Sequence, residues 1–266
     1  MAAHEDPSRI VLPKDYDAPS VFRPENLLRE ARRQRGLAEA PVPAVCVLDP
    51  DGDIVRVLRA SGRSRRGAAW ACYHTEMDLT EHDGVTLGIV GLAVGAPFAV
   101  LVAEQLFASG CRLLVSVTSA GQIVPVGPTP YFVLIDRALR DEGTSLHYAA
   151  SAPFADADVA LAERAWPALA ALRVTVHRGI AWTTDAPYRE TAAAIEAARE
   201  AGALAVEMEA AALYAFARAC RRDVLCFAHV TNRMAVDEGD FEKGEADGAR
   251  DSLDVIAATA RACGFA

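Results

Sequence analysis

The sequence lacks the short signatures that announce a metal hydrolase or a dinucleotide enzyme. Its six cysteines, Cys46, Cys72, Cys111, Cys220, Cys226 and Cys263, contain no CxxC pair, so neither a zinc ribbon nor a dithiol redox centre is spelled out. The six histidines are scattered and no HExxH occurs, which removes the helix-borne zinc pair of metalloproteases. No GxGxxG follows a predicted strand, and the Gly91/Gly95 spacing does not supply one; a Rossmann-type oxidoreductase is disfavoured. No stretch reads as a membrane span of about 20 apolar residues, and residues 1–17 lack the basic and apolar regions of a signal peptide. The formal net charge of −9 makes the chain a poor partner for nucleic-acid backbones or anionic membranes. These absences predict a soluble, cytoplasmic protein with reduced, mostly buried thiols, no metal and no organic cofactor.

What is present is ample material for a core. The chain has 266 residues, 52% of them hydrophobic and 24% charged, enough to fold without disulfides. Residues 1–40 read as an irregular arm ending in a short helix, Glu25 to Gln34; residues 41–266 read as one domain. Apolar runs predict strands at Ala44–Leu48, Val85–Leu92, Arg112–Val117, Tyr131–Ile135, Arg173–Ala181 and Asp223–Val230. Helices are expected at Phe98–Ser109, Ala155–Ala171, Glu190–Ala201, Ala210–Ala219 and Gly248–Cys263. Pro97 stands at a helix start and Gly110 at its end. Val85 to Val117 is one strand–helix–strand unit. Alternating β and α elements predict a three-layer α/β/α architecture around a mixed, mostly parallel central sheet.

In such a sheet, loops at the carboxyl ends of the strands converge on one crevice. Four polar segments follow predicted strands: Gly95, Thr118 to Gly121, Thr183 to Asp185, and Thr231 to Arg233. Glu207-Met208-Glu209 opens a helix beside them. The run from Val206 to Tyr214, VEMEAAALY, resembles the signature helix start of nucleoside phosphorylases and nucleosidases. Gly95-Ala96-Pro97 resembles the Gly-Gly-Pro turn of uridine phosphorylases. Thr118-Ser119-Ala120-Gly121 resembles a Gly-rich strand end that borders phosphate or ribose. Asp141 to Tyr148, Trp182 to Tyr188 and Val230 to Arg233 are similar to further segments of that family, in the same order. The resemblance covers about residues 44–262 and implies a phosphorylase/hydrolase-like fold closest to the uridine phosphorylase-like proteins.

That resemblance implies a substrate and roles. The substrate is a small-molecule nucleoside, cleaved at its N-glycosidic bond with phosphate as co-substrate. Glu209 binds the ribose 2′ and 3′ hydroxyls, since one carboxylate can accept from both. Met208 packs on the sugar, and Glu207 steadies the helix start and lines the pocket. Gly95, Ser119, Ala120, Gly121, Thr183, Thr184 and Tyr188 complete the substrate-binding set. Asn232, Arg233 and Asp185 are the expected catalytic residues. Purine-cleaving relatives carry Asp where Asn232 stands; an amide cannot donate that proton but can bond a carbonyl-bearing base, which tilts the reading to a pyrimidine. Relatives also assemble as dimer-based oligomers such as hexamers, so a homo-oligomer is expected.

Each residue also has a plainer reading. Glu207 and Glu209 suit a helix N-terminus, Met208 a core, Asp185 a turn or cap, and Arg233 an ion pair. His74 and His147 read as structural, and the basic loop 61–67 as solvated surface. The resemblance also departs at two cations. The family's G-D-P-x-R loop is here Leu48-Asp49-Pro50-Asp51-Gly52, so Gly52 stands at the Arg position. Ser116 stands at the second. Phosphate needs charge-assisted hydrogen bonds, so the nucleophile stays open between phosphate and water, and a nucleoside-binding protein without turnover is the third reading.

Overall fold

Long apolar runs fold as strands buried on both faces, and that is how the centre of this molecule is built. The computed structural model describes residues 12, 14–233 and 241–265. Strand β1 (Val45–Asp49) is buried at every position. It lies between β4 (Val85–Gly91) and β5 (Leu113–Gln122), and β5 also pairs with β10 (Asp223–Asn232). All three pairings are parallel. A second parallel set comprises β6 (Tyr131–Asp141), β8 (Val176–Thr184) and β9 (Ala203–Glu207).

Antiparallel pairing joins the two sets at two seams. Strand β6 pairs with β10, and β9 pairs with the last residues of β5. Strands β5, β10, β6, β8 and β9 therefore close on themselves. The edge beyond β4 is extended by β3 (Asp78–His82) and β2 (Arg65–Arg66), and β7 (Phe154–Asp156) hangs on β6. The sheet is thus mixed, with parallel centres and antiparallel seams.

Two helical layers cover it. Helix α1 (Pro24–Arg35) packs on α3 (Ala96–Ala108), which packs on α6 (Ala210–Cys220); α2 (Asp53–Ala60) and α4 (Val159–Ala170) pack on α7 (Ala249–Ala262). Helix α5 (Ala192–Glu200) leans on β9. Alanine is the small residue that lets these helices approach the sheet closely: every residue from Ala210 to Ala217 is buried, and Ala96, Ala99 and Ala103 are fully buried on α3. The result is one large hydrophobic cluster running through both layers. All six cysteines are free thiols, five buried and Cys220 exposed. No helix among the described residues is long and apolar enough to cross a membrane.

The structure departs from the sequence reading in its boundaries. Helix α2 and strand β3 were not expected. Asp-Pro-Asp-Gly reads as a turn, and so it is, but Gly52 at φ 75° turns the chain straight into α2. The Asp49 carboxylate accepts from Val55 N at 2.9 Å to hold that start. Thr118 to Gly121, Trp182 to Thr184 and Thr231 to Asn232 are not loops after strands; they are the last residues of β5, β8 and β10. Small polar residues end the apolar periodicity there, although backbone pairing continues. Ala155 and Asp156, expected in a helix, belong to β7 instead.

Candidate active site

The seam between β5, β9 and β10 assembles the site. Gly121 pairs with Asn232 on one side and with Val206 on the other. Three stretches far apart in the chain, Ser119–Gly121, Glu207–Glu209 and Asn232, thereby become neighbours. Gly95 joins them from the start of α3, where its φ of 88° is a conformation that side chains resist.

Glu207 and Glu209 are both buried, yet their surroundings differ. Glu207 is spent on the scaffold. Its Oε1 accepts a hydrogen bond from the Thr183 hydroxyl, and its Oε2 accepts from Glu209 N at 2.7 Å and Ala210 N at 2.8 Å. Those amides are first-turn groups of α6 that have no helical acceptor, so the carboxylate caps the helix from inside the protein. Thr183 Oγ1 in turn accepts from Ala211 N at 3.0 Å. Burial lifts the Glu207 pKa above the ordinary carboxylate range, while Thr183 and the two amides pull it back.

Glu209 is 1% exposed. Its Oε1 accepts from Gly95 N at 2.7 Å. Its Oε2 makes no hydrogen bond among the described residues. A buried carboxylate oxygen without a donor costs free energy. Burial, with the charge of Glu207 behind it, pushes the Glu209 pKa up to about 8; the Gly95 amide and the nearby Thr118 hydroxyl act against this.

The other expected residues separate into two groups. Gly95 donates its amide to Glu209, Met208 precedes Glu209 in the chain, and Gly121, which follows Ser119 and Ala120 on β5, is paired with Val206 and Asn232. Met208 is half-buried, and Asn232 Nδ2 donates to Thr231 Oγ1 at 3.2 Å and to Ala120 O at 3.5 Å. Arg233 follows at the exposed end of β10. The β8 residues do not reach the site as expected. Thr183 is fully buried behind Glu207. Thr184 is buried and its Oγ1 accepts from Ala186 N at 3.2 Å. The Asp185 carboxylate accepts from Gly143 N at 2.9 Å and lines a cleft with Pro97, Leu101, His147 and Tyr148. Tyr188 is 99% exposed. Thr183 and Thr184 thus hold the frame, Asp185 pins two strand-end loops, and Tyr188 points to solvent; the reason is that β8 continues through Thr184 and turns its hydroxyls inward.

Sequence reasoning passed over a second cluster, next to Ser119. The Ser119 amide donates to Asp51 Oδ2 at 2.7 Å. Asp49, Asp51, Asp53, Thr118, Ser119, His229 and Ser252 line a small cavity there. Lys243 Nζ lies 2.5 Å from Asp53 Oδ2 and 3.8 Å from Asp51 Oδ1, and Arg56 pairs with Asp53 and Asp247. Burial, reinforced by Asp51 and Asp53, raises the Asp49 pKa to about 7 against the pull of the Val55 amide. Burial, reinforced by Lys243, lowers the His229 pKa to about 4. The DPDGD string was visible in the sequence as a turn; only folding turned its carboxylates toward β5.

Neither position where an arginine was expected suits one. Gly52 has a φ of 75° that side chains resist, and a Cβ there would lie 2.7 Å from Cδ2 of the exposed Leu92; Ser116 is 1% exposed inside the core with an Oγ unbonded among the described residues. In the basic loop, Arg66 pairs with Glu76, and Arg63 Nη2 lies 3.4 Å from His82 Nδ1.

Comparison with known proteins bears on the fold and the family. A sequence profile described as the phosphorylase superfamily matches residues 62–263. Uridine phosphorylase from Vibrio fischeri, complexed with 6-hydroxy-1-naphthoic acid, superposes with a TM-score of 0.69 at 22% identity over 84% of this chain and 92% of its own. Purine nucleoside phosphorylase from Toxoplasma gondii, in complex with immucillin-H, gives 0.69 at 15% identity over 85% and 92%. No curated protein matches by sequence. Identities this low speak to the fold, whereas the profile spans most of the chain: the protein belongs to the phosphorylase superfamily.

Proposed function

We propose that this protein cleaves the N-glycosidic bond of a nucleoside, with Glu209 holding the ribose 2′ and 3′ hydroxyls. One observation carries the reading: a buried carboxylate at the strand-end seam with one oxygen anchored on Gly95 N and the other without a donor among the described residues. Two adjacent hydroxyls are the donors such an oxygen pair takes. Glu207 and Thr183 position it, because they set the first turn of α6. Met208 packs on the sugar, and Ser119 to Gly121 line its approach.

Asn232 and Arg233 stand at the base end. The developing oxocarbenium character of the sugar drives electrons onto the leaving base, and Arg233 offsets that charge. Asn232 brings an amide rather than an acid, which suits a carbonyl-bearing pyrimidine. Proteins that share the fold include a uridine and a purine nucleoside phosphorylase, and the amide favours the former class. On this reading residues 41–266 form the catalytic unit, acting as a homo-oligomer in nucleoside salvage in the cytoplasm, with no metal or organic cofactor. The ribosyl acceptor, which the resemblance gives as phosphate, meets the other cluster, beside Asp51.

The test is release of free base from a panel of purine and pyrimidine nucleosides, compared with Glu209→Ala. Turnover on a pyrimidine nucleoside that falls about a thousandfold in the variant supports the reading. Unaltered turnover in a folded Glu209→Ala protein removes Glu209 from the site.

A further inference from the structure

The amide at the end of β5 is a ready anion donor, and the chain has filled it with its own carboxylate. Ser119 N donates to Asp51 Oδ2 at 2.7 Å. Asp49 and Asp53 line the same cavity. The two cations in reach, Lys243 and Arg56, are already engaged by Asp51, Asp53 and Asp247. A phosphate dianion placed here would face four aspartates, Asp247 being the fourth, and would have to displace Asp51 from its donor. Space agrees with charge. The cavity volume is ≈10 Å³, about what one water needs.

A second group points to what this cavity takes. His229 lines it and is 5% exposed; its backbone is held in the sheet between Ser119 and Phe132, while its ring has no hydrogen-bond partner among the described residues. Its ring is fixed by stacking on Phe132 at 4.5 Å between centroids and by Gly248, where a Cβ would lie 2.2 Å from His229 Cε1. With its pKa near 4 the imidazole is neutral at physiological pH; it adds no charge for an anion and can donate to or accept from a neutral ligand.

We propose that water, not phosphate, takes the ribosyl group at this site, with Asp51 occupying the place an anion would hold and serving as the proton acceptor. This rests on the reading of the chain as a nucleoside-cleaving enzyme. The water oxygen bonds to the anomeric carbon as the carbon–nitrogen bond breaks. The bonding pair leaves on the base, which takes a proton from solvent. The water proton passes to the Asp51 carboxylate and then to solvent, so nucleoside and water become free base and free ribose.

The experiment uses the full chain with the nucleoside panel in heavy-oxygen water, with and without inorganic phosphate, reading both base and sugar products. The expected result is base release at a rate indifferent to phosphate, with heavy oxygen in free ribose. Release that requires phosphate and yields ribose 1-phosphate overturns the proposal and leaves the nucleoside reading intact. Failure of every nucleoside to release base overturns that reading, and the hydrolysis with it. Calorimetric titration with inorganic phosphate tests anion exclusion without turnover: no saturable binding is expected, and saturable millimolar binding to the wild-type chain overturns it. Asp51→Asn, which keeps an acceptor for Ser119 N, is expected to slow release about 100-fold with an unchanged melting temperature; wild-type rates in that variant overturn the proton-acceptor role. Asp51→Ala repeats the test if the amide variant does not fold.

Discussion

Glu207 and Glu209 stand two residues apart, both buried, both at the start of α6, and they do opposite work. Glu207 has three donors on its two oxygens, all from the protein. Among the described residues Glu209 has one donor, and its second oxygen has none. A satisfied buried carboxylate is a framework element; an unsatisfied one is held ready by its neighbours for something not in the chain. The contrast teaches that burial and motif membership alone do not mark a catalytic group. Hydrogen bonds separate these two, and position in the fold must be added to them. The buried Glu142 carboxylate also has one oxygen on an amide, Ser145 N, and one without a donor among the described residues, but it lies away from the strand-end seam.

Substitution at each carboxylate sharpens this contrast. Glu209→Gln keeps the acceptor for Gly95 N and loses one acceptor for ribose; kcat/KM is expected to fall by at least about 100-fold, with no loss of thermal stability. If the melting temperature instead collapses while residual activity is normal, Glu209 belongs with Glu207 in the frame.

The framework side should show the reverse pattern. Thr183→Val removes the hydroxyl that donates to Glu207 and accepts from Ala211 N, leaving two buried groups unpaired. A loss of about 2–4 kcal/mol in denaturant unfolding is expected. Near-neutral stability would show that the α6 start does not depend on the Glu207 network.

The pH dependence separates the pair by a smaller effect. The Glu209 pKa is raised to about 8 in the folded chain, from an ordinary carboxylate value when unfolded. A raised carboxyl pKa favours the folded state fully below the unfolded value, and that contribution is lost as pH rises through the folded pKa. Glu209→Gln, which cannot ionise, should therefore unfold at nearly the wild-type temperature in mild acid and gain on the wild type as pH rises toward 8. A pH-independent difference between the two proteins would contradict the shift. Smallest of all is Tyr188→Ala. This ring is 99% exposed, so stability should move by less than about 0.5 kcal/mol, measured by denaturant unfolding; a larger loss would mean that it is covered in an assembly.

Much of the frame was legible in the chain. Val85 to Val117 read as strand, helix and strand because apolar periodicity, Pro97 and Gly110 all agree, and the structure has β4, α3 and β5 there. The α2 helix was hidden because an Asp-Gly turn and a helix start share the same residues. The ends of β5, β8 and β10 were hidden because strand pairing is a property of two chains' backbones, not of side-chain alternation in one. In the site, VEMEA was visible as a motif, but its two glutamates could not be told apart, since Thr183 lies 24 positions from Glu207 and Gly95 lies 114 from Glu209.

By itself the sequence determined the class of fold, the order of its elements and the superfamily, because apolar period, caps and motif order are local quantities. Only the tertiary structure decided which carboxylates are framework and which are open, and that Asp51 caps the Ser119 amide. Those outcomes depend on which donors the sheet seam brings within about 3 Å of each oxygen, and no local pattern contains that distance.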